Sequence, residues 1–462
     1  MRDGGVALSR SELSDALFID LYQLTMAQAY WQNDVTGEAT FDLYFRNFPP
    51  NRAYYVFTGL EDILDYLQDF SFRDLDLSAL DALGIFDQGF LDFLSKLRFT
   101  GRVRSMSEGT LLFADEPVLE VSGPIIECQL AETFIVNQIS LQTMLATKAA
   151  RMVHAAQGRL LVDFAARRTH GTDSAMKLAR SSYIVGFVGT SNVRAAATYG
   201  IQAHGTMAHS FVSAFPTEAD SFRAYGQSFP ESSTFLVDTY DTESGVRNAV
   251  DIANEMKQRG HTLRAVRLDS GDLLELSKVA RGLLDEAGLG DVMVLASGGL
   301  DEYSIEALVK AGAPIGGFGV GTRLGSSADA PNTELVYKLV AFEGKPVVKL
   351  SSQKANLPGA KQAWREIDDD GLFRRDIVML EHEPTPSPAS EPLLHKVMQN
   401  GKASAQHPDL DEMRQRFQGQ FERLPERFKE LEANHSYDVI MSEALQELTD
   451  STQRTARRQE ST

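Results

Sequence analysis

Two glycine-rich segments carry the pattern best suited to anion chemistry: Ala296-Ser297-Gly298-Gly299-Leu300-Asp301 and Gly316-Gly317-Phe318-Gly319-Val320-Gly321-Thr322-Arg323. Glycine lets the backbone approach a phosphate closely, and successive amides can bind its oxygens. Thr322 and Arg323 add a hydroxyl and a charge. Gly298, Gly299, Gly319, Gly321 and Thr322 are therefore candidate phosphate contacts, with simple tight turns as the alternative. In Ala265-Val266-Arg267-Leu268-Asp269-Ser270-Gly271-Asp272, alternation puts Arg267 and Asp269 on one face of a strand. That pair could bind an anion together with a ribose hydroxyl or a magnesium-bound group, or it could be a structural ion pair. Asp163-Phe164-Ala165-Ala166-Arg167-Arg168 closes another strand with two cations. Gathering them at a packed strand end is costly unless an anion compensates or one of them is solvated. A carboxylate ligand would compensate. His209 lies in Gly205-Thr206-Met207-Ala208-His209-Ser210-Phe211. A neutral imidazole can accept a phosphoryl group when one nitrogen is held and the other faces the phosphate. It can equally be a hydrogen-bonded core residue, and His204 nearby shows that position alone does not decide.

These residues need a scaffold, and the hydrophobic pattern supplies one. Short apolar strands are predicted at 160–164, 184–188, 201–203, 234–237, 263–268, 292–296 and 314–320. Helices over 246–259, 273–287 and 302–311 separate the later ones, which is the rhythm of βα units around a parallel sheet. An irregular α/β barrel fits better than an open sheet, because no early Gly-x-Gly-x-x-Gly turn appears and the glycine turns cluster at the last two strands. Upstream, a helix is predicted over 20–32 and a half-buried strand over 39–46, where Ala39, Phe41, Leu43 and Phe45 alternate with polar residues. A long helix covers about 127–156, since Leu130, Phe134, Leu141, Leu145, Ala149 and Met152 recur at helical spacing.

The resulting division is an α+β region at 1–122, the barrel at 123–345, a lobe at 346–448 packing on the first region, and a polar, flexible tail at 449–462. A formal charge of -19 disfavours a nucleic-acid duplex or an anionic membrane as partner, so an anionic ligand must meet a local cationic pocket. Cys128 is the only cysteine, which fits a reducing, cytoplasmic setting. No apolar run approaches the roughly 20 residues of a bilayer span.

Several segments taken together resemble the nicotinate phosphoribosyltransferase family: Asp20-Leu21-Tyr22-Gln23-Leu24-Thr25-Met26, Phe164 to Arg168, Gly189-Thr190-Ser191-Asn192-Val193, Gly205 to Phe211, Val266 to Leu274, Gly319 to Thr322 and Lys361-Gln362-Ala363-Trp364-Arg365. The resemblance implies a type II phosphoribosyltransferase, in which an irregular α/β barrel is flanked by a domain built from both chain ends and two copies share their active sites. It implies that Tyr22 stacks on the pyridine ring across the dimer and that Phe164 covers the other face. Arg167, Ser191, Thr206 and Arg267 would form the nicotinate pocket. Asp269, Gly298, Gly299, Gly319, Gly321 and Thr322 would hold the phosphoribosyl and diphosphate groups, and His209 would be phosphorylated by ATP. Ser191 stands where nicotinamide-specific relatives carry an aspartate, and a serine does not repel a carboxylate. Magnesium would travel on the diphosphate, with Asp269 the side chain able to join it. The implied reaction converts nicotinate, 5-phosphoribosyl 1-diphosphate, ATP and water to nicotinate mononucleotide, diphosphate, ADP and phosphate, in NAD salvage. Ala165-Ala166 departs from the glycine-containing spacing expected after Phe164. The alternatives are a nicotinamide-specific phosphoribosyltransferase, a phosphosugar isomerase or aldolase, and a non-catalytic ligand-binding protein on the same fold.

Overall fold

A computed structural model describes residues 13–350, 356–404, 408–432 and 435–460. It divides into two compact units, Met1–Thr143 with Asn332–Thr462, and Met144–Pro331.

The second unit is α/β. Six strands, all parallel, lie in the order Gly189–Thr190, Leu160–Asp163, Gly317–Val320, Met293–Ala296, Ala265–Leu268, Thr234–Leu236. A parallel bridge from Thr190 to Ala203 extends one edge. The sheet is a half barrel: among the described residues no pairing joins the Ala203 edge to Thr234–Leu236. The helices Thr242–Gln258, Leu273–Glu286 and Glu302–Lys310 start behind Asp241, Asp272 and Asp301, each accepting backbone N–H bonds at the first turn. Such caps satisfy donors that the helix cannot, so every βα loop ends at a fixed point. One predicted strand is mostly turn and irregular backbone. The apolar run 184–188 contains the last residue of Thr172–Ile184 and a turn at Gly186, whose φ of 126° suits glycine, leaving only Gly189–Thr190 as strand.

The first unit contains a seven-stranded sheet in the order Lys345–Pro346, Leu335–Phe342, Glu38–Phe45, Pro117–Pro124, Arg102–Ser105, His395–Gln399, Lys402–Ala403. Strands from both ends of the chain thus pair directly. The strand Glu38–Phe45 was expected to bury one face, but both are buried. Its polar face is closed by partners, since Thr40 bonds Ser122 at 3.0 Å and Asp42 pairs with Lys361 at 2.7 Å. A four-stranded sheet, Ser390–Pro392, Lys361–Ile367, Phe373–Leu380, Val439–Met441, completes the unit. The long helix of the sequence reading is two, Ile125–Leu130 and Glu132–Ala156. Residues 449–460, expected to be a flexible tail, continue the helix Glu443–Glu460. Leu445 and Leu448 pack with Val378 and Leu380 and anchor its start, and the following Gln, Arg, Ala and Glu residues are good helix formers.

Candidate functional site

The loops after the parallel strands converge on a cavity of about 550 Å³. Its lining contains Phe164, Arg167, Ser191, Thr206, His209, Arg267 and Asp269, with Gly298, Gly299, Gly319, Gly321 and Thr322. Twelve of the thirteen candidate residues are therefore in one place. Tyr22 is the thirteenth: it lies on the helix Leu21–Gln32 of the other unit, half exposed, and does not line this cavity.

His209 opens the short helix His209–Ser213. Its Nδ1 lies 3.1 Å from Thr239 Oγ1 and its Nε2 3.9 Å from Asp269 Oδ2, with the ring 46% exposed. The core alternative is thereby excluded by exposure, whereas His204 is half-buried and its Nε2 has no hydrogen-bond partner. Its ring lies close enough to Gly189 to contact any added Cβ at 2.4 Å, and burial lowers its pKa.

Asp269 is held from three sides. Its Oδ1 accepts from Ser297 Oγ at 2.5 Å and lies 3.8 Å from Arg267 Nη2, and its backbone N–H donates to Asp238 Oδ2 at 2.8 Å. Asp238 Oδ2 also accepts from Ser270 Oγ at 2.8 Å, while its Oδ1 is buried without a hydrogen-bond partner. Arg267 donates from Nη1 to Thr206 Oγ1, and its Nε is buried and unpartnered. Burial, and to a smaller degree the charge of Arg167, pushes the Arg267 guanidinium pKa down against the opposing pull of Asp269 and Asp238. Arg167 itself is exposed and makes no ion pair among the described residues. Two like charges brought to one cavity, one with an unspent donor, favour an anionic ligand between them.

The loop carrying Arg167 is fixed from below by Asp163. Its carboxylate accepts from Ala165 N and from Thr190 Oγ1, both at 2.7 Å, which ties two neighbouring strand ends together. Burial raises the Asp163 pKa, partly offset by these bonds. The glycines divide by cause. A Cβ on Gly298 would meet Asp269 O at 1.9 Å and one on Gly319 the Phe164 ring at 2.4 Å, so both are required by internal packing. Gly299 has open space and a φ of 68°, so there the backbone conformation makes the demand.

Models of the nicotinate phosphoribosyltransferase N-terminal domain, family and C-terminal domain match residues 17–140, 160–368 and 389–449. A nicotinate phosphoribosyltransferase of Mycobacterium tuberculosis is 48% identical over 432 residues, 93% of this chain and 92% of that protein. The chain belongs to the nicotinate phosphoribosyltransferase family. A Bacillus subtilis nicotinate phosphoribosyltransferase is 39% identical, with 93% of each chain covered. The crystal structure of human nicotinic acid phosphoribosyltransferase superposes with a TM-score of 0.84 at 30% identity, over 95% of this chain and 99% of that one. At 24% identity, the nicotinate-nucleotide pyrophosphorylase structure from Pyrococcus furiosus shares the fold, with a TM-score of 0.74 over 92% of this chain and 99% of that one.

Within this nicotinate phosphoribosyltransferase chain, the sequence reading missed Asp238 and Thr239 and gave Ser297 no separate role. A signal existed: Val237-Asp238-Thr239 follows the strand Thr234–Leu236 as Asp269 follows Ala265–Leu268, and polar residues at successive parallel strand ends share one rim.

Proposed function

We propose that the protein transfers the phosphoribosyl group of 5-phosphoribosyl 1-diphosphate to nicotinate and couples this to ATP hydrolysis through a phosphohistidine at His209. The observation that carries the reading is the placement of Arg167 and Arg267 in the same cavity as the His209–Asp269 pair and the two glycine loops. The nicotinate carboxylate takes the unspent donors of Arg267, with Arg167 and the Thr206 hydroxyl beside it. Ser191 brings no negative charge against it. Phe164, backed by Gly319, covers one ring face, and Tyr22 of a second copy covers the other in a homodimer. Backbone amides of the Gly298–Gly299 and Gly319–Thr322 segments, with the Thr322 hydroxyl, receive phosphate oxygens.

The C1–O bond to diphosphate breaks as the pyridine nitrogen forms its bond to C1, and positive charge builds on the ribose. The nitrogen's lone pair is free, so no general base is required. Positioning and charge stabilisation do the work. Asp269, held by Ser297 and by Asp238 through its backbone, stays on the ribose side, where a fixed carboxylate stabilises developing positive charge. Asp269 is the side chain that would join magnesium carried by the diphosphate, and the bound ion would neutralise the leaving group. In the ATP half-reaction an imidazole nitrogen of His209 bonds the γ-phosphorus as the bond to ADP breaks. Water later releases phosphate, and the free energy draws the transfer toward nicotinate mononucleotide, a step of NAD salvage. No helix among the described residues is long and apolar enough to cross a membrane, in keeping with action in the cytoplasm.

The test is a magnesium-dependent assay with nicotinate and phosphoribosyl diphosphate, with and without ATP. Nicotinate mononucleotide should form, faster or further with ATP. Equal or better turnover of nicotinamide would overturn the substrate assignment, and absence of any nucleotide product would overturn the reaction.

A further inference from the structure

A second cavity, of about 300 Å³, lies wholly within the first unit. Asp42 and Tyr44 of the strand Glu38–Phe45 form its polar end, Asp115 stands at its exposed rim, and Val378, Ile440 and Met441 form an apolar wall. The size is at the lower end for small-molecule sites, which pair an apolar body with a few convergent polar groups.

The polar end is unfinished. Asp42 is 1% exposed, and its Oδ2 forms an ion pair with Lys361 Nζ at 2.7 Å, but neither carboxylate oxygen has a hydrogen-bond partner. The Tyr44 hydroxyl is likewise buried without a partner. Buried polar atoms are normally satisfied, and each exception costs stability unless something fills it. Lys361 is already engaged: it donates to the Leu357 carbonyl at 2.8 Å and to the Gly359 carbonyl at 2.5 Å, and its charge faces Asp42 at 2.7 Å. Lys361 and Asp42 cancel, and Asp115 is the further carboxylate of the lining. Arg46, outside the lining, lies over the Tyr44 ring at 5.9 Å from its centroid, and its charge acts on both the Tyr44 hydroxyl and Asp115.

We infer that this cavity is a binding site for a small amphipathic primary amine, whose ammonium meets Asp42 Oδ1, the Tyr44 oxygen and Asp115, and whose apolar body lies against Val378, Ile440 and Met441. The cavity around His209 presents Arg167 and Arg267 to a ligand instead, so the two sites differ in the side chains that would meet a charged group. The inference stands independently of the proposed reaction.

The experiment uses the full-length protein and 2-phenylethylamine as probe, followed by saturation-transfer NMR and calorimetry, with 2-phenylethanol and 3-phenylpropionate as neutral and anionic matches. The amine should bind about tenfold or more tightly than either match, the effect of one charged hydrogen bond. Asp115→Asn, which tolerates the left-handed φ of 67° at that residue, should weaken the amine about tenfold, and Ile440→Trp should abolish its binding. Both variants should keep the wild-type melting temperature. Saturating nicotinate and phosphoribosyl diphosphate should leave the amine bound. The proposal is overturned by no amine binding, by equal binding of the three probes, by either variant binding as the wild type does, or by displacement with nicotinate.

Discussion

Two arginines of this chain have opposite surroundings. Arg365 is fully buried and fully used. It donates to both carboxylate oxygens of Asp376 at 3.0 and 2.6 Å, to Gln420 at 3.2 Å and to the Leu111 carbonyl at 2.9 Å, and its Cζ lies 5.0 and 4.4 Å from the centroids of the Phe113 and Phe373 rings. Arg267 has one hydrogen bond, to Thr206, a carboxylate at 3.8 Å, and a buried Nε with nothing to bind. Folding completes the first arginine and leaves the second incomplete. A guanidinium desolvated without full compensation costs stability, and that cost is recovered when an anion arrives.

The contrast can be broken at either end. His209→Ala should remove labelling by γ-phosphate-labelled ATP entirely and uncouple ATP consumption from product. Undiminished labelling would place the phosphoryl acceptor elsewhere. Arg365→Met should leave Asp376 buried and unpaired and cost about 3–5 kcal/mol of stability, read as a lowered urea midpoint. The Arg267 counterpart should leave that midpoint nearly unchanged, and a comparable loss in both would erase the distinction. Tyr22→Ala should raise the nicotinate KM by up to about tenfold, the scale of one aromatic contact, and by more than Phe164→Ala. An unchanged KM in both would move the ring site. The smallest effect concerns pH. Burial, then the charge of Asp42, pushes the Glu120 carboxyl up from 4.5 to about 7. An acid whose pKa is raised on folding favours the fold when protonated, so its contribution is full below 4.5 and fades as pH rises through 7. Glu120→Gln should therefore flatten the fall in melting temperature across that window, and an unaltered slope would assign the titration to another group.

Much of the site was legible because its residues sit at the ends of parallel strands, where short apolar runs followed by Gly, Asp or Arg give both the strand and the rim. Arg267 and Asp269 emerged from alternation alone. Thr239 and Asp238 did not, since their importance comes from what folds over them: the His209 ring, and the backbone of Asp269. Tyr22 was legible only through resemblance, because nothing in its local pattern sets it apart on the helix Leu21–Gln32. The strand Glu38–Phe45 misled for a related reason. Its alternation signals one wet face, and only the distant Lys361 explains how Asp42 comes to be buried. The helical end at 449–460 was misjudged because its stability derives from the anchorage of Leu445 and Leu448 before it.

The most direct measurement is the ratio of kcat/KM for nicotinate to that for nicotinamide, with magnesium and phosphoribosyl diphosphate, in the wild type and in Arg267→Gln. The wild type should strongly favour the acid. Loss of the charged hydrogen bonds of Arg267 should cut the nicotinate value about 10- to 100-fold and leave the amide value nearly unchanged, collapsing the ratio. A wild-type ratio near unity, or a ratio indifferent to Arg267→Gln, would contradict the assignment of the unspent guanidinium to the nicotinate carboxylate.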